Sequence, residues 1–227
     1  MGLNVEQRFA DVLESARQMH PDAYFFTGDF CAHEPVRDVY IRLQPILASL
    51  ERPFYLIAGN HDDRQMMRDV FDLPGSGQDP IHYRRVVAGR SFVFLDTSPG
   101  VVGDAQVQWL AEELREAPDS DIVMHHPPVE LGINFMDRKY PLRDTQELYR
   151  VLTEDGVARR VFCGHYHSER TVVHKNLEVN LCPPTSFFID PRPPKFELFH
   201  RPPGYQLLEW TDTGDFRRSS VVVGAQE

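Results

Sequence analysis

The stretch Val161-Phe162-Cys163-Gly164-His165-Tyr166-His167 decides how the rest of the chain is read. A short apolar run ends at a glycine, and two histidines follow with one residue between them. Alternate residues of extended backbone point the same way, so His165 and His167 can face one point in space. The glycine lets the chain turn as it leaves the strand. Three earlier stretches have the same form: Tyr24-Phe25-Phe26-Thr27-Gly28-Asp29, Tyr55-Leu56-Ile57-Ala58-Gly59-Asn60-His61-Asp62 and Ile122-Val123-Met124-His125-His126. Each is an apolar strand that stops at a side chain able to bind metal. Four strand ends carrying Asp, Asn and His suggest one shared metal site.

Outward from these strands, the intervening segments are helical in period. Residues 4–19 place Val5, Phe9, Val12, Leu13, Ala16 and Met19 on one stripe, with Asn4 and Gln7 as a capping box. Residues 36–50 repeat the pattern through Val36, Val39, Tyr40, Leu43, Ile46, Leu47 and Leu50. A shorter helical stretch is expected near 63–71. Residues 81–87 and 91–95 read as a strand pair turned at Ala88-Gly89, and 171–174 with 177–181 as a second. Asp104 is expected to cap a helix with Val107, Leu110 and Leu114 inward. Asp144 is expected to open another that buries Leu148, Val151 and Leu152. Residues 205–210 and 217–223 close the chain as strands. Strands alternating with helices define an α/β protein. Donors at the carboxyl ends of strands occupy the usual position of a site in such sheets. A single domain over 1–227 is expected. Residues 127–142 and the proline-rich 183–204 read as loops that shape the site or an interface.

The chain has 227 residues, 41% hydrophobic and 26% charged, enough for one large soluble domain with a real core. A net charge of −10 argues against nucleic acid polymers and anionic membranes as partners. A small phosphate substrate stays compatible, because bound cations reverse the local sign. No apolar run approaches the roughly 20 residues of a bilayer span. The polar N-terminus has no signal-peptide core. Cys31, Cys163 and Cys182 are odd in number and irregularly spaced, which makes a disulfide framework unexpected. These features predict a reducing, cytoplasmic setting.

Asp29 has two carboxylate oxygens and can bridge two cations. Asn60 offers a neutral oxygen, and His125, His165 and His167 offer imidazole nitrogen. Mixed oxygen and nitrogen donors suit zinc, manganese, iron or cobalt better than calcium. Two such ions about 3.5–4 Å apart can clamp a phosphate and generate a hydroxide nucleophile. His61 adjoins a donor and is the candidate to steady the phosphoryl oxygens or protonate the leaving alcohol. Asp62 is expected to hold that ring by accepting its second N–H. His126 reads as a supporting residue rather than a ligand. His33 reads as a surface histidine, with replacement of a ligand as the sharper alternative.

Gly28-Asp29, Gly59-Asn60-His61-Asp62, His125-His126-Pro127-Pro128 and Gly164-His165-Tyr166-His167, in that order, resemble four of the five blocks of the calcineurin-like metallophosphoesterases. Phe94-Leu95-Asp96-Thr97, Gln108-Trp109-Leu110 and Pro203-Gly204-Tyr205 are similar to the bacterial class III cyclic-nucleotide phosphodiesterase and glycerophosphodiesterase branch. The resemblance implies a four-layer αββα sandwich, a dinuclear site and hydrolysis of small phosphodiesters such as 3′,5′-cyclic nucleotides or glycerophosphodiesters. By motif, it implies that Asp29 bridges the two ions. Asn60, His125 and His165 would complete the second site, His167 would belong to the first, and His61 would be the catalytic histidine. The family's first block, an Asp-x-His after an N-terminal strand, has no counterpart in this sequence. The fold is therefore expected without its first strand. One ion is the alternative to two, and a disabled metal- or nucleotide-binding module is the alternative to an enzyme. The sheet edge left open by that strand leads to the expectation of a homo-oligomer.

Overall fold

Strands that end in donors need both faces covered, and the intervening helices cover them. The computed structural model describes residues 2–224. In chain order its elements are α1 (Val5–Gln18), β1 (Tyr24–Phe26), α2 (Arg37–Ala48), β2 (Phe54–Leu56), α3 (Arg64–Arg68), β3 (Tyr83–Val87), β4 (Arg90–Leu95), α4 (Asp104–Glu116) and β5 (Asp121–Met124). They continue as α5 (Asn134–Lys139), α6 (Thr145–Thr153), β6 (Arg159–Cys163), β7 (Arg170–His174), β8 (Leu177–Leu181), β9 (Phe188–Ile189), β10 (Leu198–Phe199), β11 (Gly204–Trp210) and β12 (Phe216–Val222). The first helix starts where expected, with the Asn4 side chain accepting the Gln7 amide at 3.1 Å.

Six strands form a mixed sheet in the order β3-β4-β5-β6-β8-β7. β4, β5, β6 and β8 are parallel neighbours, and β3 and β7 run antiparallel at the edges. Period-two alternation divides its side chains between two cores. Val93, Leu95, Ile122, Met124, Val161 and Cys163 face one core, which α4 and α6 complete. Phe92, Phe94, Val123 and Phe162 face the other. That second core is closed by the parallel pair β1-β2, by α1 and α2, and by the antiparallel hairpin β11-β12. The layers therefore run helices, six-stranded sheet, strand pairs, helices. Phe25 joins the inner two, edge-on to Phe92 at 4.8 Å and to Phe94 at 5.2 Å between ring centroids. Such aromatic pairs contribute about 0.5–1.5 kcal/mol each beyond the area they bury.

Three local expectations are corrected. Asp104 is the first residue of α4 and not its cap: Gly103 holds that place, and the Asp144 carboxylate accepts the Val102 and Gly103 amides at 2.8 Å. Gly103, at a φ of 81°, turns the chain so that these amides point at α6 instead of at the neighbouring Asp. The 127–142 segment contains α5, nucleated by Asp137, whose carboxylate accepts the Leu131 and Ile133 amides at 3.0 and 2.7 Å. The 183–204 segment contains the antiparallel pair β9-β10, with Phe188 and Ile189 buried. No helix among the described residues is long and apolar enough to cross a membrane.

Candidate active site

Four strand ends meet at one point. β1 runs out through Thr27 and Gly28 to Asp29, and β2 through Gly59 to Asn60 and His61. The two turns touch: a Cβ on Gly28 would lie 2.4 Å from the Gly59 nitrogen, and one on Gly59 would lie 2.2 Å from Asp29 Oδ1. Only glycine permits that approach. Asp62 ties the turns together. Its carboxylate accepts the amides of Asp29 at 2.7 Å, Phe30 at 3.0 Å and Gly59 at 2.9 Å, and the Tyr40 hydroxyl at 3.1 Å. Burial pushes the Asp62 carboxyl up to about 6, against the pull of these N–H groups.

The expected pairing of Asp62 with the His61 ring does not form, because buried amides claim that carboxylate. His61 Nδ1–H donates instead to the His33 carbonyl at 2.7 Å, which leaves Nε2 as its free nitrogen. His33 thus contributes its backbone to the site.

β5 and β6 are parallel neighbours in the register Met124 to Cys163, so His125 and His165 emerge side by side. The Gly164 amide donates to the His125 carbonyl at 3.1 Å and fixes the spacing. His125 Nδ1–H donates to the Thr27 carbonyl at 2.6 Å, which turns the lone pair of Nε2 inward. That nitrogen lies 3.1 Å from Asn60 Oδ1, 3.2 Å from Asp29 Oδ2 and 3.2 Å from His165 Nδ1. His165 Nε2–H donates to the Tyr140 carbonyl at 3.0 Å, so its Nδ1 also presents a lone pair. The donor atoms of Asp29, His125 and His165 all lie within 4.8 Å of one another. Four lone-pair atoms with no hydrogen between them repel one another unless a positive charge sits among them. A proton on His125 is one solution. Burial opposes that proton, but the Asp29 carboxylate overcomes it and raises the His125 pKa above its ordinary value. Burial and the neighbouring His125 hold His165 down at about 3, so it stays neutral and able to ligate. A metal cation is the other solution, and the donor chemistry fits a transition metal.

His167 lies outside this cluster of three. Its Nδ1–H donates to the Phe187 carbonyl at 3.0 Å, and its ring stacks on Phe187 at 4.3 Å, leaving Nε2 available. His126 is buried and held by Thr97, whose hydroxyl oxygen lies 3.0 Å from both its Nδ1 and its amide nitrogen. Burial and the nearby His165 depress its pKa far below the usual range.

Several residues here escaped sequence reasoning. Thr27 and Tyr140 act through carbonyls, which no side-chain pattern reveals. Tyr40 is fully buried under Asp62 and looked like one more apolar helix position. Asp96 and Thr97, part of the Phe94-Leu95-Asp96-Thr97 block but given no role from sequence, end β4 in the same manner as the other donors end their strands. Asp96 is fully buried and accepts from Arg64 Nε at 2.9 Å and from the Ile81 amide at 2.7 Å, which anchors Thr97 beneath His126.

An α/β sandwich whose strand ends converge on carboxylate, amide and imidazole donors has the make-up of a metal-dependent phosphoesterase. The chain belongs to the calcineurin-like phosphoesterase family, which it matches over residues 5–169. It is 32% identical over 215 residues to a probable cyclic nucleotide phosphodiesterase of Fibrobacter succinogenes, spanning 92% of this chain and 82% of that protein. It is 26% identical over 219 residues to a probable glycerophosphodiester phosphodiesterase of Arcobacter nitrofigilis, spanning 91% of this chain and 80% of the relative. Among solved structures, a dimetal phosphatase from Danio rerio shares the fold with a TM-score of 0.66 at 13% identity, over 96% of this chain and 89% of that one.

Proposed function

We propose that the protein is a metal-dependent phosphodiesterase that hydrolyses small phosphodiesters such as 3′,5′-cyclic nucleotides or glycerophosphodiesters. The observation that carries this reading is a group of four lone-pair atoms, His125 Nε2 with Asn60 Oδ1, Asp29 Oδ2 and His165 Nδ1 around it. Asp29, Asn60, His125 and His165 would hold one manganese, iron or zinc ion, and Asp29 with His167 would serve a second. Such ions neutralise phosphoryl charge and lower the pKa of water. The chain's own groups do the rest. The Thr27 and Tyr140 carbonyls fix the histidine tautomers so that lone pairs face inward. His61, pinned through Nδ1 to His33, can turn Nε2 toward a phosphoryl oxygen or the departing alcohol, and as an imidazolium can protonate that alcohol. Asp62 is a positioning residue that aligns the two turns. The free cysteines support a reducing cytoplasm. We also propose a homo-oligomer built on the edge of β1.

His61→Ala should cut turnover of bis(p-nitrophenyl) phosphate by about 10²–10⁴-fold with metal content unchanged. Asn60→Ala should lower metal content in elemental analysis as well as turnover. Near-normal turnover in both variants would overturn the assignment. Metal binding by the wild type without turnover of any diester would favour the binding-module alternative.

A further inference from the structure

A run of aromatic rings joins one histidine of the His165-Tyr166-His167 motif to the other. The Tyr140 ring lies 6.4 Å from His165, Phe135 lies 5.7 Å from Tyr140, and Phe196 lies 6.0 Å from Phe135. Phe187 follows at 6.3 Å from Phe196, and His167 stacks on it at 4.3 Å. The arc comes from the two segments first read as loops, α5 with its C-terminal cap and the β9-β10 region. Its inner members are rooted, since Phe135 and Phe187 lie against the first core. Its ends are tied to the site, since the Tyr140 and Phe187 carbonyls accept from His165 and His167. Its outer members are bare: Tyr140 is 51% exposed and Phe196 44%.

Within the arc the rings from Tyr140 to Phe187 meet at steep angles, 69–75°. Each edge-to-face contact covers one face of one ring, so the open ring surface is that of the exposed outer members Tyr140 and Phe196. A flat, electron-poor heteroaromatic covers such faces at little conformational cost, because the rings are already held. Glycerol and other aliphatic alcohols have no face to offer.

We propose that the arc is a stacking platform for a nucleobase, so that one ester group of the substrate is a nucleoside and not an aliphatic alcohol. This rests on the phosphodiesterase reading, with the phosphate held beside His165 and His167 and the base laid on Phe196 and Tyr140.

The test compares 3′,5′-cyclic AMP with glycerophosphoethanolamine as substrates of the manganese-loaded protein. Phe196→Ala should raise KM for the cyclic nucleotide about tenfold and leave the kinetics of the glycerophosphodiester as they were. Phe196→Leu, which keeps most of the bulk but has no ring face, should raise that KM as the alanine variant does, whereas Phe196→Tyr should restore it. An unchanged KM for the nucleotide, or an equal rise for both substrates, overturns the platform. A change in sedimentation coefficient with unchanged KM assigns the arc to a contact between subunits and overturns it as well. Should the wild type hydrolyse neither diester, the phosphodiesterase reading fails by itself, and calorimetric binding of 5′-AMP decides the platform. Loss of that binding in Phe196→Ala upholds it, and equal binding or none in the wild type removes it.

Discussion

His165 and His126 are imidazoles that the fold keeps neutral, and this sets the pH response of the metal-free protein. An unperturbed imidazole titrates near 6.5. His165 is held at about 3 by burial and by His125, and His126 is depressed in the same direction. Between about pH 6.5 and 3 the unfolded chain takes up protons that the folded chain refuses. Their contribution to stability is complete above about pH 6.5 and is lost as pH falls, by about 1.4 kcal/mol per pH unit for each proton of difference. His125, raised above its ordinary value by the Asp29 carboxylate, and Asp62, raised to about 6, act in the opposite sense and offset part of the loss. Denaturant unfolding in chelator should therefore show lower stability at pH 5 than at pH 7. A flat or rising profile toward acid would contradict the depressed histidines. At this scale the converging side chains Asp29, Asn60, His125 and His165 were legible because each ends a strand. The partners that set their tautomers were not, because backbone carbonyls of Thr27, His33 and Tyr140 carry no signature in the sequence.

At the scale of elements, the contact between the β1 and β2 turns is the tightest constraint. Gly59→Ala would push a methyl to 2.2 Å from Asp29 Oδ1 and 2.4 Å from the Asp29 nitrogen. One turn must move away, at about 1–3 kcal/mol of strain. Unfolding midpoints should fall and metal affinity should fall with them. A variant with wild-type metal content and midpoint would show that the turns have slack. The long helices α1, α2, α4 and α6 were legible from period alone, as were the strand pairs β3-β4 and β7-β8. Three short elements, α5, β9 and β10, were not. α5 has six residues and β9 and β10 two each, too few for a period to register. Asp137 and tertiary contacts create them, and these lie outside any local window.

At the scale of the molecule, β1 pairs only with β2 among the described residues. Its other edge presents backbone donors and acceptors that a second copy of the chain could match. Sedimentation should report at least a dimer at micromolar concentration, and a monomer throughout would remove the proposal. The α/β class was legible from the alternation of strand and helix, and the four-layer order only from the resemblance of the motifs to a known family. The side on which β11-β12 closes the second core was not, since nothing local links residue 205 to Phe92. The convergence of strand ends from Asp29 to His165 also has a bearing on biosynthesis. A chain leaving the ribosome at about 5–20 residues per second exposes Asp29 on the order of ten seconds before His165. No earlier fragment holds the complete clasp. Cofactor acquisition is thus deferred until most of the polypeptide has been made, and a cell short of the ion would accumulate a finished apoprotein rather than a stalled nascent one.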